Sequence, residues 1–324
     1  MRRRIFHFTA LLTALFFLTD GPAFGQLVPG TGVKLTKVGD DFEDEDWSFK
    51  FNLPKSSKNI NEYAGGAGGR SKNGRWYEGV KRGQPDTVKR VPTPANGPAG
   101  SKGALLLRSV QTGVPGRPSH KLQQDDFIAD VNYRLGRTMS VAESPSVVVR
   151  VFLPPIAEWE NRTGPSFAFR IALDATVKKT EGKGFFSRTS TESETYWPGF
   201  FIELESETDR NRTQDAAYLR VRSNNRGGDY RGPAIRQTGW WTLGLSCTPD
   251  GRVHYYGKPG LEDLTAEDHI ASNYPYGFRG EKFKTFFFNV CNADDGKTPS
   301  TPWIVDNCEV FHIPRTAQNG RTSR

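Results

Sequence analysis

Three glutamates spaced two apart are the clearest chemical feature of this chain. Residues 196–207 read Tyr-Trp-Pro-Gly-Phe-Phe-Ile-Glu-Leu-Glu-Ser-Glu. With the period of a strand, Phe200, Ile202 and Leu204 point one way, and Phe201, Glu203, Glu205 and Glu207 point the other. A row of carboxylates on one face can divide acid and base roles between its members, or can form a polar contact surface. What lies across from the row decides between them. The segment Tyr218-Leu219-Arg220-Val221-Arg222 alternates in the same way. With residues 208–217 as the connection, Glu207 falls opposite Tyr218, Glu205 opposite Arg220 and Glu203 opposite Arg222. Opposite charges directly across a strand pair contribute roughly 0.2–1 kcal/mol each. An arginine on Glu203 would also hold it ionised. The face therefore reads as a charge-paired ladder, which Arg150 and Arg170 extend from their own strands.

The elements that must carry these residues are strands. Apolar or alternating runs recur at Ala104–Val110, Phe127–Val131, Ser146–Leu153, Ser166–Asp174, Gly199–Glu207, Tyr218–Ser223, Trp240–Cys247, Arg252–Tyr256, Phe283–Cys291 and Trp303–Phe311. Gly, Pro, Asn and Asp separate them, a pattern of all-β sandwiches. A first strand is expected at Trp47–Phe51, and one short helical piece near Leu261–Ala271. The turn Thr248-Pro249-Asp250-Gly251 suits a hairpin. It places Leu245 opposite Tyr255 and Cys247 opposite Val253 on the inner face, with Ser246 opposite His254 and Gly244 opposite Tyr256 outside. Tyr256 beside a glycine, with Trp240 nearby, predicts an exposed aromatic shelf.

Residues 55–104 differ in kind. They are rich in Gly and Pro and carry ten Lys/Arg against three Asp/Glu. A connection this long is expected as a basic loop, with Trp76-Tyr77 docking part of it on the body. The whole chain has 44 Lys+Arg and 36 Asp+Glu. Its start, Met1-Arg2-Arg3-Arg4 followed by apolar Ile5–Leu18 and Ala23-Phe24-Gly25, has the form of a signal peptide over residues 1–25. Residues 26–39 read as a linker and 314–324 as a disordered tail. The mature protein is expected in the periplasm or outside the cell, with no membrane span. The basic residues sit in a Gly/Pro stretch of an exported chain, which argues against nucleic acid as the partner. Cys247, Cys291 and Cys308 allow at most one internal bridge. Either a Cys291–Cys308 disulfide or buried thiols fits the sequence.

The two ends of the body carry a resemblance. Asp41-Phe42-Glu43-Asp44 with Trp47, and Trp303-Ile304-Val305-Asp306-Asn307-Cys308, resemble the first and last strands of secreted carbohydrate-binding jelly rolls. The hairpin around Trp240–Tyr256 is similar to concanavalin A-like lectin/glucanase domains. The likeness spans residues 40–313 and implies a two-sheet antiparallel jelly-roll sandwich. It also implies a structural calcium on Glu43 and Asp306, since clustered carboxylates suit a cation that takes six to eight oxygens. Glu203-Leu204-Glu205-Ser206-Glu207 resembles the Glu-x-Asp-x-Glu signature of laminarinase-like retaining glycoside hydrolases. There Glu203 would be the nucleophile and Glu207 the acid/base, with carboxyls about 5–5.5 Å apart. Glu205 departs from the signature by standing in the Asp place.

The resulting expectation is an exported protein that binds polysaccharide, an acidic one in view of the basic segment. The binding face would use Trp197, Arg220, Arg222, Trp240, His254 and Tyr256, with aromatic rings stacking on sugars and charged forks holding hydroxyls. The alternatives are a retaining hydrolase through Glu203 and Glu207, or a polysaccharide lyase using His254 and Tyr256 as acid and base.

Overall fold

The structure is a computed structural model and describes residues 27–181 and 188–314. The expected signal peptide, and the expected tail beyond Pro314, lie outside these residues. Among the described residues the chain forms two antiparallel sheets, the expected two-sheet sandwich. The smaller sheet runs in the order β17 (His269–Asn273), β16 (Val253–Pro259), β15 (Gly239–Cys247), β9 (Ser146–Leu153), β19 (Trp303–His312), β6 (Gly103–Arg108) and β5 (Thr87–Pro92). A short β1 (Val33–Lys34) pairs with β19. The larger sheet runs β14 (Tyr230–Ile235), β13 (Ala216–Arg222), β12 (Gly199–Glu205), β10 (Gly164–Glu181), β18 (Lys282–Asn292), β7 (Gln123–Ala129), β4 (Trp76–Glu78), β3 (Arg70–Ser71) and β2 (Phe49–Lys50). Along it, β11 (Arg188–Tyr196) pairs with β10 and β8 (Met139–Ser140) with β18. No helix among these residues is long and apolar enough to cross a membrane.

Alternation sorts the side chains as periodicity requires. Phe167, Phe169 and Ile171 of β10, Phe200 and Ile202 of β12, and Phe286 and Phe288 of β18 face the other sheet. There they meet Val147, Val149, Val151, Leu243, Leu245 and Val305 in one core. The alternate residues of the larger sheet face outward and build the site described below. The β15–β16 hairpin has the expected register at all four predicted pairs.

Three expectations are revised. Residues 55–104 are not one loop, because they contribute β3, β4, β5 and the start of β6. The cause is Trp76: it is fully buried and stacks on Phe127 and Phe288, so its segment becomes a sheet edge. Residues 26–39, read as a linker, include β1, and Leu27–Gly30 cover the outside of the smaller sheet through bonds to Ser246 and Ser146. The helical piece expected near Leu261–Ala271 is a single 3-10 turn at Ala266–Asp268 followed by β17. The α-helix that does form, α1 (Val131–Leu135), follows β7 and ends at Gly136 in the left-handed conformation.

One carboxylate ties the β2–β4 edge together. Asp40 Oδ2 accepts from the Trp47 and Trp76 indole N–H groups, both at 3.0 Å, and from Asn73 Nδ2 at 2.8 Å. Asp40→Ala leaves buried donors unsatisfied and is expected to lower the unfolding free energy by about 2–3 kcal/mol in urea melts. The exposed neighbour Glu45→Ala is expected to stay within about 0.5 kcal/mol.

Candidate functional site

The opening glutamates come first. Glu203 and Glu205 point outward from β12, and Glu207 lies beyond the strand end on the exposed connection. The register differs from the expected one by four residues. Glu203 is opposite Tyr218, Glu205 opposite Ala216, and Phe201 opposite Arg220. The connection starts before residue 208 because the strand stops at Glu205, and an even shift keeps each face intact. The arginines still cover the carboxylates. Arg220 grips Glu203 through Nε and Nη2, the latter 2.7 Å from Oε1. Arg212 and Arg231 hold Glu205 at 2.6 and 2.8 Å. Those bonds outweigh burial and hold the Glu205 carboxyl below the usual range, although burial alone would raise it.

The cleft lies beside this ladder, on the same face. Its volume is about 650 Å³, and it is lined from β4, β7, β10, β13, β18 and the segments at Val80–Arg82, Trp197 and Tyr276. One row of paired positions crosses it: Arg222, Gly199, Arg170, Phe287 and Ile128. The next row holds Arg220, Phe201, Ala168, Asn289 and Asp126. Gly199 separates two arginines and has no room for a side chain. A Cβ there would lie 2.3 Å from the Phe169 carbonyl oxygen and 2.7 Å from Arg170 Cγ.

Arg170 forms the floor. Its guanidinium lies 5.5 Å from the Phe201 ring centroid and 5.2 Å from that of Phe287. Nε and Nη2 donate to the Trp197 carbonyl at 3.0 and 2.7 Å, and Nη1 donates to Asn289 Oδ1 at 3.2 Å. A guanidinium has five N–H bonds, so this leaves two on the fork. Burial, with Arg222 and Arg82 nearby, pushes Arg170 down to about 9. The counter-charge is Asp126. It accepts from Asn289 Nδ2 at 2.5 Å and lies 3.8 Å from Arg82. Burial raises the Asp126 carboxyl against the pull of Arg82 and Arg170. Lys81 adds its ammonium 4.8 Å over the Trp197 ring, and Lys284 lines the cleft as well. Five cations thus line the cleft with two carboxylates, Asp126 and Asp130; Asp130 is bound by Arg70, while Arg222 and Lys284 also pair with Asp229 and Asp174 at 3.5 and 3.4 Å.

Tyr276 closes one side. Its backbone is left-handed at φ 58, which is uncommon for a residue other than glycine and often marks a functional position. The phenol oxygen accepts from Arg222 Nε at 3.3 Å, and the ring packs on Tyr196 at 5.0 Å. Tyr196, Trp197, Tyr276, Glu194 and Thr195 line a second hollow beside the first.

Of the expected binding residues, Trp197 and Arg222 are in the cleft. Arg220 is next to it, committed to Glu203. Trp240, His254 and Tyr256 are not on this face, because they project from the outer face of the smaller sheet, buried to 6%, 2% and 0% exposure. The expected aromatic shelf is absent for a steric reason. Pro29 and Leu264 fill the space over Gly244, and Tyr256 packs with Val148 and Leu264. Arg150 lies on that outer face too, bound to the Leu261 carbonyl. Glu203, Glu205 and Glu207 do not line the cleft. Glu43 and Asp306 do meet, through Ser101 Oγ at 3.0 and 2.8 Å. Glu43 also accepts from the Lys102 and Gly103 N–H groups. All three cysteines are free and buried. Cys291 packs with Ala168 and Phe201 outside the larger sheet, and Cys308 lies in the core between the sheets.

Sequence reasoning missed Lys81, Arg82, Asp126, Asn289 and Tyr276. One of these left a signal, a lone polar residue in an apolar run: Asn289 in Phe-Phe-Phe-Asn-Val, whereas Asp126 closes the polar run Gln-Gln-Asp-Asp. Lys81, Arg82 and Tyr276 left none, since loops place them. Glu203→Gln removes the charge that Arg220 grips, outside the cleft. It is expected to lower stability by about 1–3 kcal/mol in denaturant melts.

No family model matches the chain, and no curated protein matches it in sequence. In backbone it is similar to an alginate lyase from Pseudomonas aeruginosa, at 8% identity over 71% of this chain and 87% of that one, TM-score 0.38. A GH131 beta-glucanase catalytic domain from Podospora anserina aligns at 12% identity over 84% of this chain and 96% of that one, TM-score 0.37. An endo-beta-1,4-glucuronan lyase from the fungus Trichoderma reesei aligns at 13% identity over 70% and 90%, TM-score 0.34. These are likenesses of sandwich architecture, and the chemistry of the cleft rests on its own residues.

Proposed function

We propose that the cleft binds a polysaccharide that carries carboxylates. The observation behind this reading is the gathering of Arg82, Arg170 and Lys81 about the buried carboxylate of Asp126, with Arg222 beside Arg170 and paired to Asp229, and with two N–H groups of Arg170 unspent. Crowded like charges at a partly dry floor are relieved when an anion arrives. Planar guanidinium forks suit planar carboxylates. Trp197, Tyr196 and Tyr276 supply flat apolar faces for sugar rings. The basic segment contributes to this site through Lys81 and Arg82, which accords with an acidic ligand.

Retention on polyuronate, sulfated glycan and neutral glucan gels tests the reading. Polyuronate is expected to retard the protein, with retardation fading as salt rises. Arg170→Gln is expected to weaken binding about tenfold or more, the scale of a charge-assisted hydrogen bond. Equal retention on neutral glucan, or an Arg170→Gln protein that binds as tightly, would overturn it.

A specific observation favours a second reading in which the bound chain is also cleaved by β-elimination. The lining offers no pair of free carboxylates for glycoside hydrolysis, but it sets the Tyr276 phenol beside the arginines. Neutralising a uronate carboxylate acidifies the neighbouring C–H. A base then takes that proton, a carbon–carbon double bond forms, and the glycosidic oxygen leaves with a proton. The base and acid would lie near Tyr276, in place of the expected His254 and Tyr256. Unsaturated product that vanishes in Tyr276→Phe while gel retention survives is the expected pattern. Product unaffected by Tyr276→Phe would remove Tyr276 from the chemistry.

We also propose a cation between Glu43 and Asp306. Asp306 is fully buried, and its carboxyl is pushed up to about 6 by burial, with Glu43 and Asp41 nearby. Two carboxylates sharing one hydroxyl suit a calcium ion at neutral pH. Without it, the raised group contributes stability in acid that is lost as pH rises through about 6. Melting at neutral pH is expected to rise with added calcium and fall with a chelator. A melting temperature indifferent to both would dispose of the site.

A further inference from the structure

The arginine floor occupies one end of a longer row. The paired positions that run from Arg222 through Gly199, Arg170, Phe287 and Ile128 continue to Tyr77 of β4 and Arg70 of β3. Directly paired residues share a face, so Tyr77 and Arg70 stand on the outer face with Arg170. The row crosses from β13 to β4 by way of β12, β10, β18 and β7. At roughly 4.8 Å between neighbouring strands, Arg222 and Tyr77 are about 24 Å apart across the sheet. Both residues line the one cleft, which is therefore long enough for several sugar rings in a chain.

The far end has a different chemistry. Tyr77, Asp130 and Asn132 line it, and the Arg70 guanidinium is spent on Asp130, so that pair adds no net charge. Asn132 Oδ1 is a buried acceptor that meets no donor among the described residues. Such an atom carries an unpaid desolvation cost that an incoming hydroxyl would relieve. Burial, with Asp130 adding, pushes the Tyr77 phenol up to about 12, so it stays protonated and able to donate at neutral pH. One residue past Asn132 on α1, Tyr133 is 80% exposed. The Arg70 guanidinium lies 5.6 Å from its ring centroid. Since Asp130 holds that guanidinium, the ring is braced at the rim of the cleft from one side and open to solvent on the other.

We propose that this far end is a second sugar subsite, in which Tyr133 stacks on one ring of the bound polymer while Asn132 and Tyr77 hydrogen-bond its hydroxyls. The inference rests on the cleft reading given above and deepens it. Its occupant is a further stretch of the same polysaccharide, because the subsite is continuous with the arginine floor through Phe287 and Ile128. The ligand is then an extended chain laid across the strands. A carboxylate is read at Arg170, and hydroxyls are read at Asn132, where an acceptor beside a neutralised ion pair suits a donor better than an anion. Flat aromatic faces serve sugar rings at both ends, Trp197 at the first and Tyr133 at the second.

The test measures the affinity of a uronate disaccharide and a uronate hexasaccharide for the full chain and for Tyr133→Ala, Tyr133→Phe, Asn132→Ala and Arg170→Gln, at low and high salt. The wild type is expected to hold the hexasaccharide about tenfold or more tightly than the disaccharide, the scale of one stacked ring with its hydrogen bonds. Tyr133→Ala and Asn132→Ala are each expected to cut that gain to about threefold or less, and Tyr133→Phe to keep it. Disaccharide affinity falls as salt rises, whereas the gain with length persists, because stacking and hydroxyl bonds are not screened. An equal gain in wild type and Tyr133→Ala, or a gain that salt abolishes, overturns the subsite. Arg170→Gln separates it from the cleft reading. If that variant binds both oligomers as the wild type does while Tyr133→Ala still loses the gain, the subsite stands and the reading of Arg170 falls. Binding of neither oligomer overturns both. Self-association of the wild type that Tyr133→Ala abolishes would assign the ring to a second copy of the chain and overturn the sugar subsite.

Discussion

A guanidinium between two phenyl rings is the constraint on which the cleft depends. Arg170 projects from the centre of the larger sheet, where a charge is costly unless neighbours hold it. Phe201 and Phe287 cover its two faces, the Trp197 carbonyl occupies one edge, and Asn289 takes one amino group. This arrangement fixes the fork without consuming it. Gly199 is part of the same constraint, because any side chain there would collide with Arg170. The cation that would meet a ligand is therefore set by backbone register across three strands.

The same face divides into two electrostatic regimes. At one end Glu203 and Glu205 are matched by Arg220, Arg212 and Arg231, so charge is balanced locally. At the other end Arg82 and Arg170 share the buried carboxylate of Asp126, and Arg222 pairs with Asp229 at 3.5 Å. The balanced end resembles an ordinary polar sheet surface, whose pairs contribute little individually. The unbalanced end keeps an excess of positive charge close to aromatic faces. That contrast locates the site better than any single residue does.

Much of the frame was legible because strand alternation is a local property. All eleven strands expected from the sequence overlap observed ones, and the Leu245–Tyr255 hairpin has its predicted register. The charge ladder was legible in kind but not in partner. Alternation fixes which face Glu203 occupies, whereas register depends on where β12 stops. The binding residues were harder for a different reason. Trp240, His254 and Tyr256 point outward as read, but a sequence does not say that Pro29 and Leu264 will cover that face. Conversely, Lys81 and Arg82 sit in a stretch that looked like solvated loop until Trp76 is seen to anchor it. Covering and anchoring are long-range packing events, and they leave no periodic trace.

The segment running from Asn52 to Gly103 has a consequence for how this protein can change. It builds edge strands and one wall of the cleft, and the Asp40 carboxylate fastens it through the Trp76 indole and the Asn73 amide. The floor comes from strands deep in the sheet, the wall from a separately fastened flap of sequence. The two are therefore modular. Wall residues such as Lys81 and Arg82 can be exchanged while Arg170, Asn289 and the aromatic core stay as they are. Under the proposed function, ligand preference can drift along that wall without renegotiating the fold, which makes it the natural region in which to graft a new specificity.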